Sequence, residues 1–392
     1  MRQVVIAGAV RTPIGNLNGS LSTISATALG SCVIRESLRR ARVHPEAVDE
    51  VIMGNVLSAG LGQAPARQAA KGAGLGDTVC ATTVNKVCGS SLKAVMMAYQ
   101  AIQSGDADVI VAGGMENMSR APYLLEKARS GYEVGHGTVI DSIIKDGLWD
   151  PYGDLSMGAC GELCAAKYQF TREDQDDFAV QSYRRALKAQ QEGWFQNEIV
   201  EVEVPAKPQA VSIREDERLA RFNEAKLRKL RPAFKQDGTI TAGNASGMND
   251  GASAMVVLAE DRAESMDVVP MARILGFSQK GVSPEWFTIA PIQAVSALLN
   301  KLKVHIDQID LYEINEAFAP VPMAAIKELR IDPEQLNIHG GAVALGHPLG
   351  ATGARMLTTL LYALKRTGRK RGIASPCIGG GEAVAVAVEL MN

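Results

Sequence analysis

Cysteine is scarce in this chain. Its 392 residues hold six, Cys32, Cys80, Cys88, Cys160, Cys164 and Cys377, too few for a disulfide scaffold. No CxxC pair occurs, which argues against a zinc ribbon. Cys160 and Cys164 fall in a helix-like run and read as two small core residues rather than a metal pair. Free thiols suit a reducing compartment, so a cytoplasmic location is expected. Charge of one sign is also lacking. A formal net charge of −2 argues against nucleic-acid binding driven by bulk charge. No apolar run is long enough to span a bilayer. The opening "MRQVVIAGAVRTPIG" reads as a strand and a turn, not as a signal or transit peptide.

What is present is an ordinary globular composition, 46% hydrophobic and 21% charged, over a length that predicts two or three domains. Gln3 to Ala9 suits a buried strand. Thr23 to Ala41 has helical periodicity, "VDEVIMGNVLSAG" reads as a strand, and Ala64 to Ala73 as a short helix. "VCATTVNKVCGSS" is a strand that turns at Cys88. "SLKAVMMAYQAIQSG" is a helix stopped at Gly105, and "ADVIVAGGMENMS" is a strand ending in a glycine pair. Such alternation predicts an α/β fold with a sheet covered on both faces. Between about Ser119 and Gly247 charge density rises and strand signals thin, as in an inserted, mostly helical region. Its basic run, Arg218 to Lys235, reads as a solvated face or as a cradle for phosphates.

The alternation then resumes with echoes. "PMARILGFSQ" echoes the first strand, and "QIDLYEINEAFA" echoes "AVDEVIMGNVLS". "GHPLGATGARMLTTLLYALKRTG" echoes "CGSSLKAVMMAYQAIQSG", and "RGIASPCIGGG" echoes "ADVIVAGGMEN". Four echoes in the same order, at an offset of roughly 260 residues, indicate an internal duplication. Two like halves meeting face to face would bring the turn at Cys88 towards the turns at His347 and Cys377.

Those three residues carry the chemical interest. Cys88 sits where a strand enters a helix, and the positive end of a helix favours thiolate. His347, one of five histidines, sits among glycines in the half that pairs with Cys88. Cys377 opens a Gly-Gly-Gly turn whose N–H groups can hold a developing oxyanion. Each residue alone reads equally as packing or turn chemistry. Together a Cys–His pair is the minimal activated nucleophile, and a second thiol can act as a separate acid or base. Asn315 reads as a helix cap or a ligand for water or a carbonyl. "NASGMNDGA", Asn244 to Ala252, reads as a linker or a loop binding a polar ligand.

"NKVCGSSLKAV", "NEAFA", "GGAVALGHPLGATGAR" and "CIGGG", in this order, resemble the signatures of the thiolases, over essentially the whole chain. The nearest subgroup is the biosynthetic acetyl-CoA acetyltransferases. The resemblance implies a duplicated α/β fold with a five-layered α-β-α-β-α core and an inserted loop domain. The first half would span 1–118, completed by about 248–268. The coenzyme A-binding insertion would span 119–247 and the second half 269–392. It implies a reversible Claisen condensation of two acetyl-CoA to acetoacetyl-CoA and coenzyme A, in a homotetramer or homodimer, with no metal or redox cofactor. Carried over by motif, Cys88 becomes acylated and His347 activates it. Cys377 moves the α-proton of the second acetyl-CoA. Asn315 positions a water in one oxyanion hole, and the N–H groups of Cys88 and Gly379 form the other. Ser246 would contact the pantetheine arm, and Leu148, Met157, Phe234, Ala317 and Phe318 would line its tunnel. A degradative 3-ketoacyl-CoA thiolase of broader chain length, or a non-catalytic acyl-CoA-binding scaffold, are the competing readings.

Three positions depart from the pattern. "WFTIAP", Trp286 to Pro291, replaces the usual Met-Gly-x-Gly-Pro segment, putting Phe287 beside the acyl pocket. Ser156 stands where related biosynthetic enzymes often carry histidine. Glu382-Ala383 follows the glycine triplet, where a further glycine is usual.

Overall fold

The computed structural model describes residues 2–391. Its backbone is organised by runs of small and branched apolar residues that are buried on both sides. Strand β1 (Val4–Arg11) is buried at all eight positions. Such strands need cover on both faces. The chain continues through α1 (Ala26–Ala41), β2 (Glu50–Gly54), α2 (Pro65–Gly72), β3 (Cys80–Val84), α3 (Ser90–Ser104) and β4 (Val109–Asn117). After an insertion containing α4 (Met157–Tyr168) and α5 (Arg172–Gln191) it returns as β5 (Asn249–Ala259). Then follow β6 (Ala272–Gly281), α6 (Ala290–Leu302), β7 (Leu311–Ile314), α7 (Pro320–Leu329), α8 (Thr352–Thr367), β8 (Arg371–Ser375) and β9 (Glu382–Leu390).

The strand order is β7-β8-β9-β6-β1-β5-β4-β2-β3. Each half repeats one pattern. A parallel pair (β2/β4, β7/β8) is followed by two antiparallel neighbours (β5 then β1, β9 then β6). All four echoes in the sequence fall on corresponding elements. The counterpart of β3 has shrunk to one parallel bridge, Tyr312 with Leu336. The halves join through β1 and β6, where Val5 faces Arg273 and Ile6 faces Ala272.

Period-two alternation creates the layers. Val4 and Ile6 enter one core cluster, while Val5 and Ala7 enter another. On β9, Val384, Val386 and Val388 face the middle, and Ala383, Ala385 and Ala387 face α6. Helices α3 and α8 fill the middle layer, pack on each other, and each also touches the other half's strands. Helix α8 is accordingly buried nearly all round, Arg355, Thr358 and Thr359 included. With α1 and α2 outside one half and α6 outside the other, the order is α-β-α-β-α.

The insertion is less purely helical than its composition suggests. Besides α4 and α5 it carries three short antiparallel strand pairs. Helix α5 starts in a Thr171/Asp174 capping box. It is pinned to the second half by Ser182 on Glu316 (2.7 Å) and Arg185 on the Leu336 carbonyl (2.7 Å). The end of "NASGMNDGA" is corrected: Asn249 onwards is the buried strand β5, not a linker or loop. Its polar residues are buried with partners, Asn249 Nδ2 donating to the Gly15 carbonyl and Asp250 accepting from Ser119.

Glycines Gly54 and Gly114 face each other across β2 and β4. A Cβ on Gly114 would stand 2.0 Å from the Gly350 carbonyl oxygen, and one on Gly54 2.6 Å from it. The loop after His347 therefore sits directly on these strands. Gly114→Ala should lower stability by about 1–3 kcal/mol through overpacking and displace that loop. Gly76→Ala, whose Cβ meets only Thr78 Oγ1 at 3.8 Å, should be close to neutral. Denaturant midpoints of the two variants check this; equal midpoints would refute it.

Candidate active site

Three tight turns and one strand end meet in the middle of the molecule. The first turn leads from β3 into α3. Val87 there has φ 45°, a costly conformation for a β-branched residue. Its surroundings over-determine it. Val87 N–H donates to Asn85 Oδ1 (3.0 Å), Lys86 N–H to Ser90 Oγ (2.8 Å), and Ser90 Oγ to the Val87 carbonyl (2.6 Å). Glu382, the departure after the glycine triplet, forms an ion pair with Lys86 and ties this turn to the other half. Next to Cys88, Gly89 allows a contact no side chain would: its Cβ would lie 2.3 Å from Ile378 Cδ1. The Cys88 turn and the Cys377 strand are thus in direct contact.

The second turn carries His347. Gly346, at φ 111°, has no room for a side chain against Asn249. Asn249 Oδ1 accepts the His347 N–H (3.0 Å). The imidazole Nδ1 lies 2.7 Å from Thr352 Oγ1, whose hydroxyl donates to the Pro348 carbonyl (2.9 Å). Nε2 lies 3.4 Å from Asn315 Nδ2. Asn315 follows the last residue of β7 and is buried, and its Oδ1 has no hydrogen-bond partner among the described residues. Neighbouring Glu316 accepts from Ser182, Asn337 and the Val343 N–H, so it anchors the backbone leading to His347.

The third turn follows Cys377, which pairs with Ala383 and is fully buried. A thiolate at Cys88 would raise Cys377, while the Asn315 side chain and the Ala317 N–H bear on the Cys377 sulfur. The N–H groups of Gly379 and of Cys88 itself bear on the Cys88 sulfur. Cys88, His347, Cys377, Asn315 and Gly379 are therefore one cluster.

Its electrostatics differ from the sequence expectation. A helix N-terminus favours thiolate, but burial wins: the Cys88 thiol is pushed up to about 11, against the help of two N–H groups. Burial pushes Cys377 up further and, with Arg355, pulls His347 down to about 3. The resting centre is two thiols and a neutral imidazole.

A cavity of about 610 Å³ meets this cluster at His347; Cys88, Cys377, Asn315 and Gly379 are not among its lining residues. Leu148, Met157, Phe234, Ser246 and Phe318 line it. Ala317 does not; its carbonyl holds the Ser246 N–H (3.0 Å) from behind. Phe234 and Phe318 pack edge to face at 5.7 Å. Phe287 is buried behind Phe318 (6.5 Å) and is not among the lining residues. Ser156 lines the cavity and also caps α4 through the Ala159 N–H (3.2 Å). The basic run divides. Arg218 and Arg221 both line the cavity, but Arg218 is spent on Tyr183 and on three backbone carbonyls and Arg221 pairs with Glu217; Arg228 pairs with Asp177 and Glu224. Around Cys88 pack Val56, Leu57, Met118, Ile143 and Leu349.

Two residues of the site escaped the sequence reading. Thr352 opens α8 and reads there as an ordinary helix start. Glu116 sits at the end of β4, where "GGMEN" shows only a strand running out. It accepts from the N–H groups of Val56 (3.0 Å), Leu57 (3.1 Å) and Gly350 (2.8 Å) and from Asn55 Nδ2 (2.9 Å). The ultraviolet thiolate absorbance of the protein, minus that of Cys88→Ala, should be nil at pH 7 and appear only above about pH 9. A full thiolate signal at neutral pH would show that an ion pair, not two neutral groups, is the resting state.

Comparison with known proteins agrees with this fold. Residues 4–261 match the family description "Thiolase, N-terminal domain", and residues 268–390 match "Thiolase, C-terminal domain". The chain is 52% identical to acetyl-CoA acetyltransferase 2 of Arabidopsis thaliana, covering 100% of this chain and 98% of that protein. It is 47% identical to a probable acetyl-CoA acyltransferase of Staphylococcus aureus, over 99% of each. Among solved structures, acetyl-CoA acetyltransferase from Bacillus anthracis superposes with a TM-score of 0.98 at 41% identity, covering 100% of this chain and 99% of that one. The Acat5 thiolase from Ascaris suum, in complex with coenzyme A, superposes with a TM-score of 0.95 at 43% identity, over the full length of both. A match along both halves, on the fold described above, means that the chain belongs to the thiolase family.

Proposed function

We propose that this protein is an acetyl-CoA C-acetyltransferase, joining two acetyl-CoA into acetoacetyl-CoA and coenzyme A, reversibly, through an acetylated Cys88. One observation carries the reading: two buried thiols that act on each other lie in one cluster with a neutral imidazole, and that imidazole lines a largely apolar cavity. The names of the full-length relatives support the substrate.

The chemistry follows from the arrangement. Cys88 passes its proton to His347 as its sulfur attacks the thioester carbonyl. Coenzyme A leaves, is reprotonated, and Cys88 holds the acetyl group. Splitting the reaction in two gives ping-pong kinetics. For the second acetyl-CoA, Cys377 passes its own proton to Nε2 of His347 as its sulfur takes an α-proton; the enolate carbon attacks the acetyl carbonyl, and the departing Cys88 sulfur takes the proton back from His347, releasing acetoacetyl-CoA. The Nε2–H of the protonated His347 and a water held by Asn315 Oδ1 face the enolate oxygen. The N–H groups of Cys88 and Gly379 face the other oxyanion. A preorganised donor of this kind contributes about 3–4 kcal/mol.

Residues 119–247 act as the coenzyme A-binding insertion between a first half, 1–118 completed by 248–268, and a second, 269–392. Ser246 and the apolar lining residues hold the pantetheine arm. The protein assembles as a homodimer or homotetramer. Strand β3 leaves one edge of the sheet unpaired, and Tyr123, Leu125, Val134 and Val139 are exposed in the insertion. A cytoplasmic location is supported by six free cysteines. No helix among the described residues is long and apolar enough to cross a membrane.

Mass spectrometry after acetyl-CoA treatment should show one acetyl adduct, on Cys88, lost in Cys88→Ala. Cys377→Ala should acetylate normally yet condense at least ~100-fold more slowly. His347→Ala should slow both half-reactions. Near-normal condensation by Cys377→Ala would remove it from the mechanism.

A further inference from the structure

We propose that Thr352 is a positioning residue that fixes the tautomer of His347, with the proton on Nδ1, so that Nε2 is bare and able to receive the Cys88 proton. The inference rests on the reading of Cys88 and His347 just given. Its starting point is the direction of one hydroxyl. Thr352 Oγ1 lies 2.9 Å from the Pro348 carbonyl, four residues back, and a carbonyl only accepts. The single hydroxyl proton is committed there, a bond that threonine commonly makes within the first turn of a helix. Oγ1 then presents only a lone pair to Nδ1 at 2.7 Å. The contact is satisfied only when Nδ1 carries hydrogen.

The other side of the ring agrees. Asn315 Nδ2, a donor, approaches Nε2 at 3.4 Å. Nε2 accepts it only when unprotonated. The ring is buried and neutral, so it carries one proton, and both contacts place that proton on Nδ1. A bare Nε2 takes the thiol proton as the sulfur–carbon bond forms, and returns it to the departing coenzyme A thiolate. The imidazolium in between keeps its Nδ1–H bond to Thr352, so the ring need not turn. The opposite tautomer would leave Nε2 unable to accept and would set a bare Nδ1 against an oxygen with no proton to give.

Thr352 is wholly buried at the first residue of α8, under which Gly353 packs on Leu92 of α3. The helix that forms the middle layer thus also holds the hydroxyl that orients the base.

The test is a set of variants read by tautomer and by half-reaction. In ¹⁵N-histidine-labelled protein, with His347 assigned by its loss in His347→Ala, the resonance is expected to be Nδ1–H. An Nε2–H signal in the wild-type protein would overturn the inference, whatever the variants do. Thr352→Val keeps the shape and removes the acceptor; it should move the signal to Nε2–H and slow acetylation of Cys88 by about 100-fold or more. Coenzyme A affinity should be unchanged, and Thr352→Ser should restore most of the rate. Folded Thr352→Val that acetylates at the wild-type rate, while His347→Ala is slow, would discard Thr352 and leave the proposed function standing. Wild-type protein that forms no acetyl-Cys88 would discard the function itself.

Discussion

The structure depends on the closeness with which one loop, Pro348 to Ala351, lies on the strands of the other half. The Gly350 carbonyl occupies the space where Gly54 and Gly114 would carry side chains. Interiors are packed too densely for this to be arranged by chance. Without those two hydrogens in place of methyl groups, His347 would stand away from Cys88. Gly89 does the same for the Cys377 strand through Ile378. Duplication supplies two similar frames, and glycines at the seam let their turns touch. The cluster of Cys88, His347 and Cys377 is a property of the seam and belongs to neither half alone.

Closeness has an electrostatic consequence. Groups that meet at the seam are dry, so their charged forms are disfavoured. Cys88 and Cys377 remain thiols and His347 remains neutral. A neutral centre suits a condensation in which protons move with bond making rather than beforehand. The same dryness makes each N–H aimed at an oxyanion worth more than it would be in water. Burial opposes the resting thiolate and assists the transition state, and only the second effect bears on rate.

Much of this was legible in the sequence because duplication repeats local signals. The elements paired as β1 with β6, β2 with β7, α3 with α8 and β4 with β8 announce themselves by apolar period and by glycine placement. Once they are aligned, Cys88, His347 and Cys377 must converge. Three matters stayed hidden. The "NDGA" stretch has turn composition but lies in a strand, since its polar groups find buried partners more than a hundred residues away. The helix dipole at Cys88 suggests thiolate, yet desolvation, which depends on what packs around the turn, outweighs it. Glu116 and Thr352 act through bonds whose direction only three-dimensional placement reveals.

Glu116 shows how such a hidden residue works. Its carboxylate takes four hydrogen bonds, three from the first half and one from Gly350 of the second, and no cation faces it among the described residues. Hydrogen bonds to a charged acceptor contribute about 1.5–3 kcal/mol each. Burial opposes them strongly enough to push the carboxyl up to about 7. Burial outweighs the bonds, so this residue is poorly explained as a source of stability. What the bonds fix is geometry. A carboxyl group with four fixed donors tolerates only one arrangement of the Asn55–Leu57 loop against the Gly350 loop. Leu57 and Leu349, carried on those two loops, pack around Cys88. The cost of burying this group is thereby exchanged for a unique placement of the walls around the Cys88 sulfur.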